Sequence, residues 1–290
     1  MRNAQQEADG IAAEVVFPNT VPPFFPSFVL FAKPPTDEEY RHRHAGVTAH
    51  NRWLVDWCNE FPERRAGVGQ IFLNDVDDAI ADVRWIKENG LRGGILLPNI
   101  APDVKWVKPL YDRCYDPLWQ VLQDLEVPIN IHSGSGNPDY GPYPVSMLLY
   151  INEVPFYTER PLVQLILSGV FERFPRLKVV LTEAGCAWVP PLLERLDTNI
   201  RSIRDTGATG EIRYGADHIL PKDATEYFHQ NVWMGVSQPR QADADARHII
   251  GLDKFMWGSD YPHDEGTYPY TRENLRARFS AAPEAEMRKI

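Results

Sequence analysis

Three polar side chains follow short apolar runs, and their chemistry makes them candidates for a catalytic site. The run from Phe255 to Gly258 leads to Asp260, and two further runs end at His132 and Glu183. If the strands are parallel, their carboxyl ends gather polar side chains on one face. An imidazole and two carboxylates with no thiolate suit zinc, manganese or iron(II) as a catalytic ion.

Each of these residues also has a structural interpretation. Asp260 could simply cap the helix that follows it, which is a common role for aspartate near a helix start. A lone histidine such as His132 is more often a hydrogen-bonded residue of the core, and Glu183 could be the same kind of residue. The coincidence of three strand ends is what favours a metal or acid–base site.

Strands and helices alternate along the whole chain, which predicts parallel strands with helices outside them. No glycine-rich dinucleotide fingerprint follows the first strand, which argues against a nucleotide-binding open sheet. Periodicity alone does not distinguish an open sheet from a closed barrel. The predicted strands are 11–17, 65–73, 94–97, 127–132, 177–183, 232–236 and 255–260, and the predicted helices are 36–59, 75–89, 116–125, 161–174, 190–200, 242–250 and 271–279.

Composition excludes several classes of protein. A chain of 290 residues can form one barrel domain, and its net charge of −10 argues against nucleic acid as a partner. Cys58, Cys114 and Cys186 give an odd count with no zinc-finger spacing, which favours a reducing compartment. No apolar stretch is long enough to span a bilayer. We therefore expect a cytoplasmic protein that binds neither nucleic acid nor membranes.

Five further residues are candidates for contacts with a substrate. Asn19 and Asn99 end earlier strands and could line a pocket, although asparagine is also a good turn residue. Tyr143 lies in a loop long enough to be an active-site loop, and Tyr143 and Trp188 could stack on an aromatic substrate or pack in the core. His263 could orient a ligand, contact the substrate or stabilise its own loop.

Three longer motifs make the sequence recognisable: VPINIHSG at 127–134, LSGVFERFPRLKVVLTEAG at 167–185 and WGSDYPH at 257–263. Together they resemble the amidohydrolase family, in the branch that includes aminocarboxymuconate-semialdehyde decarboxylase and related aromatic-acid decarboxylases. The resemblance implies a distorted (β/α)8 TIM barrel, a single divalent metal, and either carbon–carbon cleavage of a carboxylate or hydrolysis. It implies that His132 is the fifth-strand metal ligand, and that Asp260 is the last-strand ligand and takes part in proton transfer.

The chain departs from the family pattern in two places. The first strand of the family, with its Asp/Glu/His-x-His pair, is absent, so we expect a single barrel domain over 1–290 that is incomplete at both ends. His42 and His44 match the spacing, but on a helix residues two apart point in different directions, and a solvated helix face is the better interpretation. Glu183 stands where the decarboxylases carry an acid–base histidine, and a glutamate can do that work if burial raises its pKa.

These observations lead to three functional hypotheses. The first is a metal-dependent decarboxylase of an aromatic or unsaturated carboxylic acid, with Asp260 and Glu183 supplying the proton. The ion would be zinc or, as a second choice, manganese, held weakly or not at all if the first-strand ligand pair is missing. The second is a metal-dependent hydrolase of an ester, lactone or amide, and the third is a barrel fragment without catalysis or tight metal. The resemblance also makes a homodimer an expectation.

Overall fold

The protein divides into two compact units, which we describe separately in a computed structural model that describes residues 2–18 and 32–290. The amino-half unit comprises residues 13–18, 32–165 and 176–179. The carboxy-half unit comprises residues 2–12, 166–175 and 180–290. Asn19, a predicted substrate contact, lies outside the described residues.

The strands of each unit are mostly parallel. In the amino-half unit β1, β2, β3 and β4 are neighbours in that order, and each pairs in parallel with the next. In the carboxy-half unit the order is β5, β8, β9, with a short antiparallel pair formed by β6 and β7. The strands are Glu14–Val16 (β1), Arg65–Gln70 (β2), Gly94–Leu96 (β3), Ile129–His132 (β4), Val179–Thr182 (β5), Ala208–Thr209 (β6), Ile212–Arg213 (β7), Val232–Ser237 (β8) and Phe255–Gly258 (β9).

Helices follow the parallel strands, as repeated βα units require. They are Arg2–Asp9 (α1), Asp37–Asn59 (α2), Val76–Glu88 (α3), Asp116–Asp124 (α4), Ser146–Leu167 (α5), Val170–Arg173 (α6), Val189–Thr206 (α7), Ala224–Asn231 (α8), Gln241–Ile250 (α9), Thr271–Arg278 (α10) and Glu284–Met287 (α11). Among the helices of residues 2–18 and 32–290, none combines the length and the apolar character that crossing a bilayer would need.

Local sequence signals explain the helix bounds in the amino-half unit. The Asp75 carboxylate accepts hydrogen bonds from the amides of Asp77 and Asp78 at 2.9 and 3.0 Å, which satisfies the first donors of α3. Helix α2 is fixed to β2 by paired bonds: the Asn51 side-chain amide donates to the Gln70 carbonyl, and its Oδ1 accepts from the Gln70 amide. Both residues are buried, so the pair holds a helix against a strand end.

The core of the carboxy-half unit follows the alternation expected of a strand. Val232, Met234 and Val236 of β8 are fully buried, whereas the residues between them are partly exposed. Phe255 at the start of β9 contacts Phe279 edge to face, with ring centroids 6.0 Å apart. This packing anchors β8 and the start of β9 in the core of the unit.

All seven predicted strands are confirmed, six with shorter bounds and β8 with one residue more, but the helix prediction contains errors. The prediction that a helix starts near Pro161 was wrong, because α5 begins at Ser146 and contains Pro155 and Pro161 in its interior. The amphipathic signal was missing because α5 exposes large apolar side chains such as Leu148 and Ile151. Helices α1, α8 and α11 and the β6–β7 pair were not predicted.

Candidate active site

Three potential metal ligands of the carboxy-half unit lie together. One ligand atom from each of Glu183, Asp260 and His263 lies within 4.8 Å of the other two, and all three residues are partly buried. The Nδ1 atom of His263 is 3.2 Å from Oδ1 of Asp260. Glu183 is the first residue after β5, and Asp260 is the second after β9. Two strand ends and one loop therefore supply two carboxylates and an imidazole, a donor set that suits a divalent ion.

The backbone at these strand ends is in the left-handed region. The φ angle is +65° at Glu183, +57° at Asp260 and +48° at Gln238, which follows β8. Such a conformation costs a non-glycine residue on the order of 1–3 kcal/mol and is concentrated at functional sites. The Gln238 side-chain amide also donates to Oδ2 of Asp260 at 3.2 Å. Strained backbone at three successive strand ends therefore positions the cluster.

The left-handed turns correct one step of the sequence argument. The strands predicted over 177–183 and 255–260 would end at Glu183 and Asp260, and strict alternation would then place Glu183 on the same strand face as Leu181 and Asp260 on the same face as Gly258. The strands instead end at Thr182 and Gly258, and the positive φ angles redirect the side chains that follow. The two carboxylates therefore lie one and two residues beyond the strand ends, in a conformation to which strand alternation does not apply.

A compact loop carries both Asp260 and His263. The His263 amide donates to the Asp260 carbonyl at 2.9 Å, and the Thr267 amide donates to the Ser259 carbonyl at 3.0 Å. A Cβ atom on Gly266 would lie only 2.8 Å from the His263 carbonyl oxygen, so the loop can close only around a glycine. The spacing between the Asp260 and His263 side chains is therefore set by backbone contacts.

Helix α1 holds this loop from outside. The Tyr261 hydroxyl donates to Oε1 of Gln5, and the Arg2 guanidinium carbon lies 4.8 Å from the centroid of the Tyr261 ring. The buried carboxylate of Asp9 accepts from both the amide and the hydroxyl of Thr271, at the start of α10. The unpredicted helix thus fixes both flanks of the segment that bears Asp260.

A second buried carboxylate holds the loop after Glu183. Oδ1 of Asp243 accepts from the amides of Cys186 and Ala187 at 2.7 and 2.9 Å, and Oδ2 accepts from the Arg240 amide at 2.9 Å. Burial raises the pKa of the Cys186 thiol, and the negative charge of Asp243 raises it further. Cys186 is fully buried, as is typical of a structural rather than a nucleophilic cysteine.

Trp188, predicted to stack on a substrate, belongs to the same loop. Its indole N–H donates to the Ala184 carbonyl at 2.9 Å, and its side chain is partly buried. The contact closes the turn that follows Glu183. Substrate contact by Trp188 stays a prediction.

His132, predicted as a metal ligand, ends β4 in the amino-half unit and does not belong to the group formed by Glu183, Asp260 and His263. Its Nδ1 lies 2.8 Å from the Ser133 carbonyl oxygen, and its ring contacts Phe17 with centroids 5.2 Å apart. A neutral ring that donates from Nδ1 has its lone pair on Nε2, which is a tautomer suited to metal binding. Its role as a ligand stays a prediction.

The remaining predicted residues also lie in the amino-half unit. Asn99 and Tyr143 line a cavity of about 560 Å³, together with the loop that follows β4. His44 is engaged elsewhere, because its Nε2 is 2.8 Å from Oδ2 of Asp82 on α3. This contact agrees with the interpretation of His42 and His44 as residues of a helix face.

Sequence reasoning missed Gln238 and Asp243. Gln238 had a usable signal, since it lies two residues after a predicted strand, close to a strand end as the three candidates are. Asp243 had none, because its role depends on contacts with a loop more than fifty residues away. Both residues act on Glu183 or Asp260 without belonging to any recognisable motif.

The chain is similar to a curated decarboxylase. A curated relative, gamma-resorcylate decarboxylase from Polaromonas sp., is 27% identical over 222 residues, which are 74% of this chain and 65% of that protein. The chain therefore spans slightly less than two thirds of that relative's length.

Two solved structures show the fold. An amidohydrolase from Mycobacterium avium subsp. paratuberculosis is 25% identical with a TM-score of 0.74, over 100% of this chain and 70% of that one. The 5-carboxyvanillate decarboxylase from Novosphingobium aromaticivorans, with bound manganese and 3-methoxy-4-hydroxy-5-nitrobenzoic acid, is 22% identical with a TM-score of 0.76, over 99% of this chain and 76% of that one. The predicted fold class, an α/β TIM barrel of the amidohydrolase type, is confirmed. The absence of a first strand stays a prediction.

The family itself follows from a match over nearly the whole chain. The family model described as Amidohydrolase matches residues 2–290. Two carboxylates and a histidine at the strand ends are the kind of donor set that such a fold presents at its catalytic face. The chain belongs to the amidohydrolase family.

Proposed function

We propose that this chain is a metal-dependent decarboxylase that acts on an aromatic carboxylic acid. The observation that carries the proposal is the cluster of Glu183, Asp260 and His263 at strand ends of a chain similar to gamma-resorcylate decarboxylase. The likeness to a 5-carboxyvanillate decarboxylase supports the same class of substrate. The sequence led us to expect an aromatic or unsaturated carboxylic acid as the substrate, and we propose an aromatic acid.

The distances between the ligand atoms of the cluster are suited to one divalent ion. Ligand atoms about 2.0–2.2 Å from an ion lie up to about 4.4 Å from each other, and the three atoms here lie within 4.8 Å of one another. Small side-chain rotations therefore bring them to one ion. The sequence put zinc first, but two carboxylates and one imidazole shift the preference toward manganese, which favours oxygen ligands. Manganese bound to the 5-carboxyvanillate decarboxylase supports this choice.

When bound, the ion would act as a Lewis acid toward an oxygen of the substrate. Decarboxylation breaks the bond between the ring and the carboxylate, releases carbon dioxide and leaves an electron pair on the ring carbon that must take up a proton. Asp260 is the residue we assign to deliver that proton. Gln238 donates to the other oxygen of Asp260 and so orients this carboxylate, and the His263 ring lies beside it, with Nδ1 3.2 Å from Oδ1.

Glu183 has a separate role in the proposal. Its left-handed backbone and the loop held by Asp243 keep its carboxylate in place. We assign it as a second carboxylate ligand of the ion. Trp188 and Tyr143 stay proposed contacts of the aromatic ring.

Product analysis tests the proposal. The purified chain is loaded with manganese and incubated with hydroxylated benzoic acids, and the release of carbon dioxide is measured with the loss of the acid. We expect release that stops in Asp260→Asn and persists in Asp253→Asn, whose side chain is 84% exposed. Turnover of esters or lactones without release of carbon dioxide would instead identify a hydrolase. The absence of both activities in manganese-loaded protein would contradict the proposal.

A further inference from the structure

The first three turns of α5, residues 146–157, present their apolar side to solvent. Exposed and partly exposed side chains recur there with the period of a helix, so they form two opposite faces. A helix on the surface of a globular protein normally shows polar residues to solvent, and here the pattern is reversed. The exposed face, which we call the α5 face, carries Met147, Leu148, Leu149, Ile151, Pro155 and Phe156, with Asn152 as its polar member.

The opposite side of the same segment is attached to the amino-half unit by hydrogen bonds. The Tyr150 hydroxyl donates to the Gly134 carbonyl at 2.9 Å. The Glu153 carboxylate accepts a bond from the Tyr140 hydroxyl at 2.7 Å. Every side chain of 146–157 is exposed or partly exposed, so none of them is in the core. The segment is therefore held by its polar side, and this orientation turns the apolar side outward.

The rest of α5 packs as a core helix does. Thr158, Pro161, Leu162 and Leu165 are buried, and they recur at spacings of three and four residues, which is the pattern of a helix with one side against a core. The apolar exposure is thus confined to the first three turns. It is not a general property of the helix.

The α5 face is large enough to be an interaction surface. Leu148, Ile151 and Phe156 are 63, 61 and 61% exposed. Because residues three and four apart are neighbours on a helix, the side chains of the face form one continuous patch, with an apolar area on the order of 500 Å². A soluble monomer rarely exposes such a patch, and each partner in a stable complex contributes about 800 Å². The α5 face could supply more than half of that area.

The charge of this surface indicates which partner it fits. Residues 143–157 contain no lysine or arginine, whereas helices that lie on membranes are rich in basic residues, so a lipid surface is disfavoured. Their one charged residue, Glu153, lies on the opposite side of the helix, where Tyr140 donates to it. The Asn152 side-chain amide donates to the Leu148 carbonyl at 2.7 Å, within the helix. The α5 face is therefore uncharged.

An uncharged face suits a second copy of the same chain. The chain has a net charge of −10, so two copies repel each other electrostatically, and they can approach best where charge is absent. In a two-fold interface the same patch lies on both sides, so any charge on it would face its own sign or need a complementary partner. The α5 face meets this requirement because apolar side chains would meet apolar side chains.

We propose that the α5 face is the interface between two copies of this chain, whose segments 146–157 pack against each other about a two-fold axis. Association removes Leu148, Ile151 and Phe156 from water in both copies, which is the main source of its stability. The inference is argued from one helix of the amino-half unit and does not depend on the proposed reaction.

Sedimentation velocity of the purified full chain tests the interface. At micromolar concentration we expect a species of twice the chain mass of 33.2 kDa. Ile151→Glu should raise the dissociation constant of the dimer at least about a hundredfold, because it places a charge in an apolar interface. Ile249→Glu on α9 is the matched control, since Ile249 is 50% exposed and lies outside the α5 face, and it should leave the dissociation constant unchanged. Circular dichroism checks that both variants are folded.

Hydrogen exchange of the unmodified chain gives a test that needs no variant. Amides of residues 143–157 should exchange at least about threefold more slowly at concentrations where the dimer forms than after dilution to the monomer.

A monomeric chain at micromolar concentration would overturn the proposal, and so would an unchanged dimer in folded Ile151→Glu. Equal exchange at both concentrations, or equal dissociation in Ile249→Glu, would also overturn it. A monomer that cosediments with vesicles of phosphatidylcholine and phosphatidylglycerol would assign the α5 face to a lipid surface instead. Because mass and exchange are the readouts, these outcomes are separate from the success or failure of decarboxylation.

Discussion

The two units differ in how their strands end. In the carboxy-half unit β5, β8 and β9 are followed by Glu183, Gln238 and Asp260, all with positive φ angles. In the amino-half unit, among the described residues that directly follow β1 to β4, no non-glycine residue has a positive φ, and the feature beyond β4 is a cavity. The comparison indicates that left-handed backbone at non-glycine residues is concentrated at the strand ends of the unit that carries Glu183 and Asp260.

The largest effects should come from the reactive groups themselves. Glu183→Gln and Asp260→Asn should each lower kcat/KM for decarboxylation by about 10²- to 10⁴-fold, because each removes a charged ligand or the proton donor. Asp253→Asn is the matched exposed control. Steady-state kinetics with circular dichroism of each variant separates lost chemistry from lost fold. If either variant kept kcat/KM within twofold of the wild type, the cluster in the carboxy-half unit would not be the catalytic site.

Next in size is the loss of Asp243. Asp243→Ala should lower the free energy of unfolding by about 3 kcal/mol, because one buried and two partly buried amide donors lose a charged acceptor. Urea unfolding measures this change, and Asp245→Ala on the exposed face of α9 is the control. Decarboxylation by the folded fraction should also fall, since the loop after Glu183 is released. A loss of stability no larger than in Asp245→Ala would show that Asp243 does not hold this loop.

A smaller effect distinguishes functional from incidental strain. Gln238→Gly and Glu126→Gly both relieve a positive φ, at +48° and +52°, and each should stabilise the fold by roughly 0.5 kcal/mol. Glu126 lies before β4 and its side chain is 74% exposed, so its variant should keep full activity. Gln238→Gly loses the hydrogen bond to Asp260 and should lose about tenfold in kcat.

The test is to measure thermal stability and kcat for Gln238→Gly and Glu126→Gly. If both variants kept full kcat, the left-handed turn after β8 would have no more functional meaning than the one at Glu126. The same result would remove Gln238 from the set of groups that orient Asp260.

The smallest effect concerns pH and lies in the amino-half unit. Burial lowers the pKa of His50 below its ordinary value of 6.5, so the fold favours the neutral ring. Its contribution to stability is present above pH 6.5 and is lost as the pH falls, because the unfolded chain then binds more protons. Unfolding followed from pH 7.5 to 5 should show a decline that is shallower in His50→Gln. Parallel curves for the two proteins would contradict this assignment.

Much of the fold could be read from the sequence, because seven strands with helices between them leave a periodic signal. Pro161 misled the helix prediction, since a proline that favours a helix start also occurs inside α5. Helix α1 was missed because it is held in place by contacts of Gln5 and Asp9 with residues more than 250 positions away in the sequence. Periodicity within a window carries no information about such contacts.

The candidate site could be predicted only in part, for a related reason. Glu183, Asp260 and His263 were each identifiable as polar residues at or just after strand ends, and the structure brings them together. Their geometry depends on left-handed turns and on loop contacts of Asp243 and Gly266, which no local pattern of residue types reveals. The identity of the site residues could thus be predicted from the sequence, whereas the turns and loop contacts that position their side chains could not.

Electron paramagnetic resonance of Mn²⁺ titrated into the chelator-treated protein tests the central claim most directly. Free Mn²⁺ gives a strong signal that disappears on binding, so the stoichiometry and the affinity are read from one titration. The account predicts one tightly bound ion per chain, and binding at least about a hundredfold weaker when Glu183, Asp260 and His263 are replaced together by Gln, Asn and Gln. Undiminished Mn²⁺ binding by that folded triple variant would contradict it.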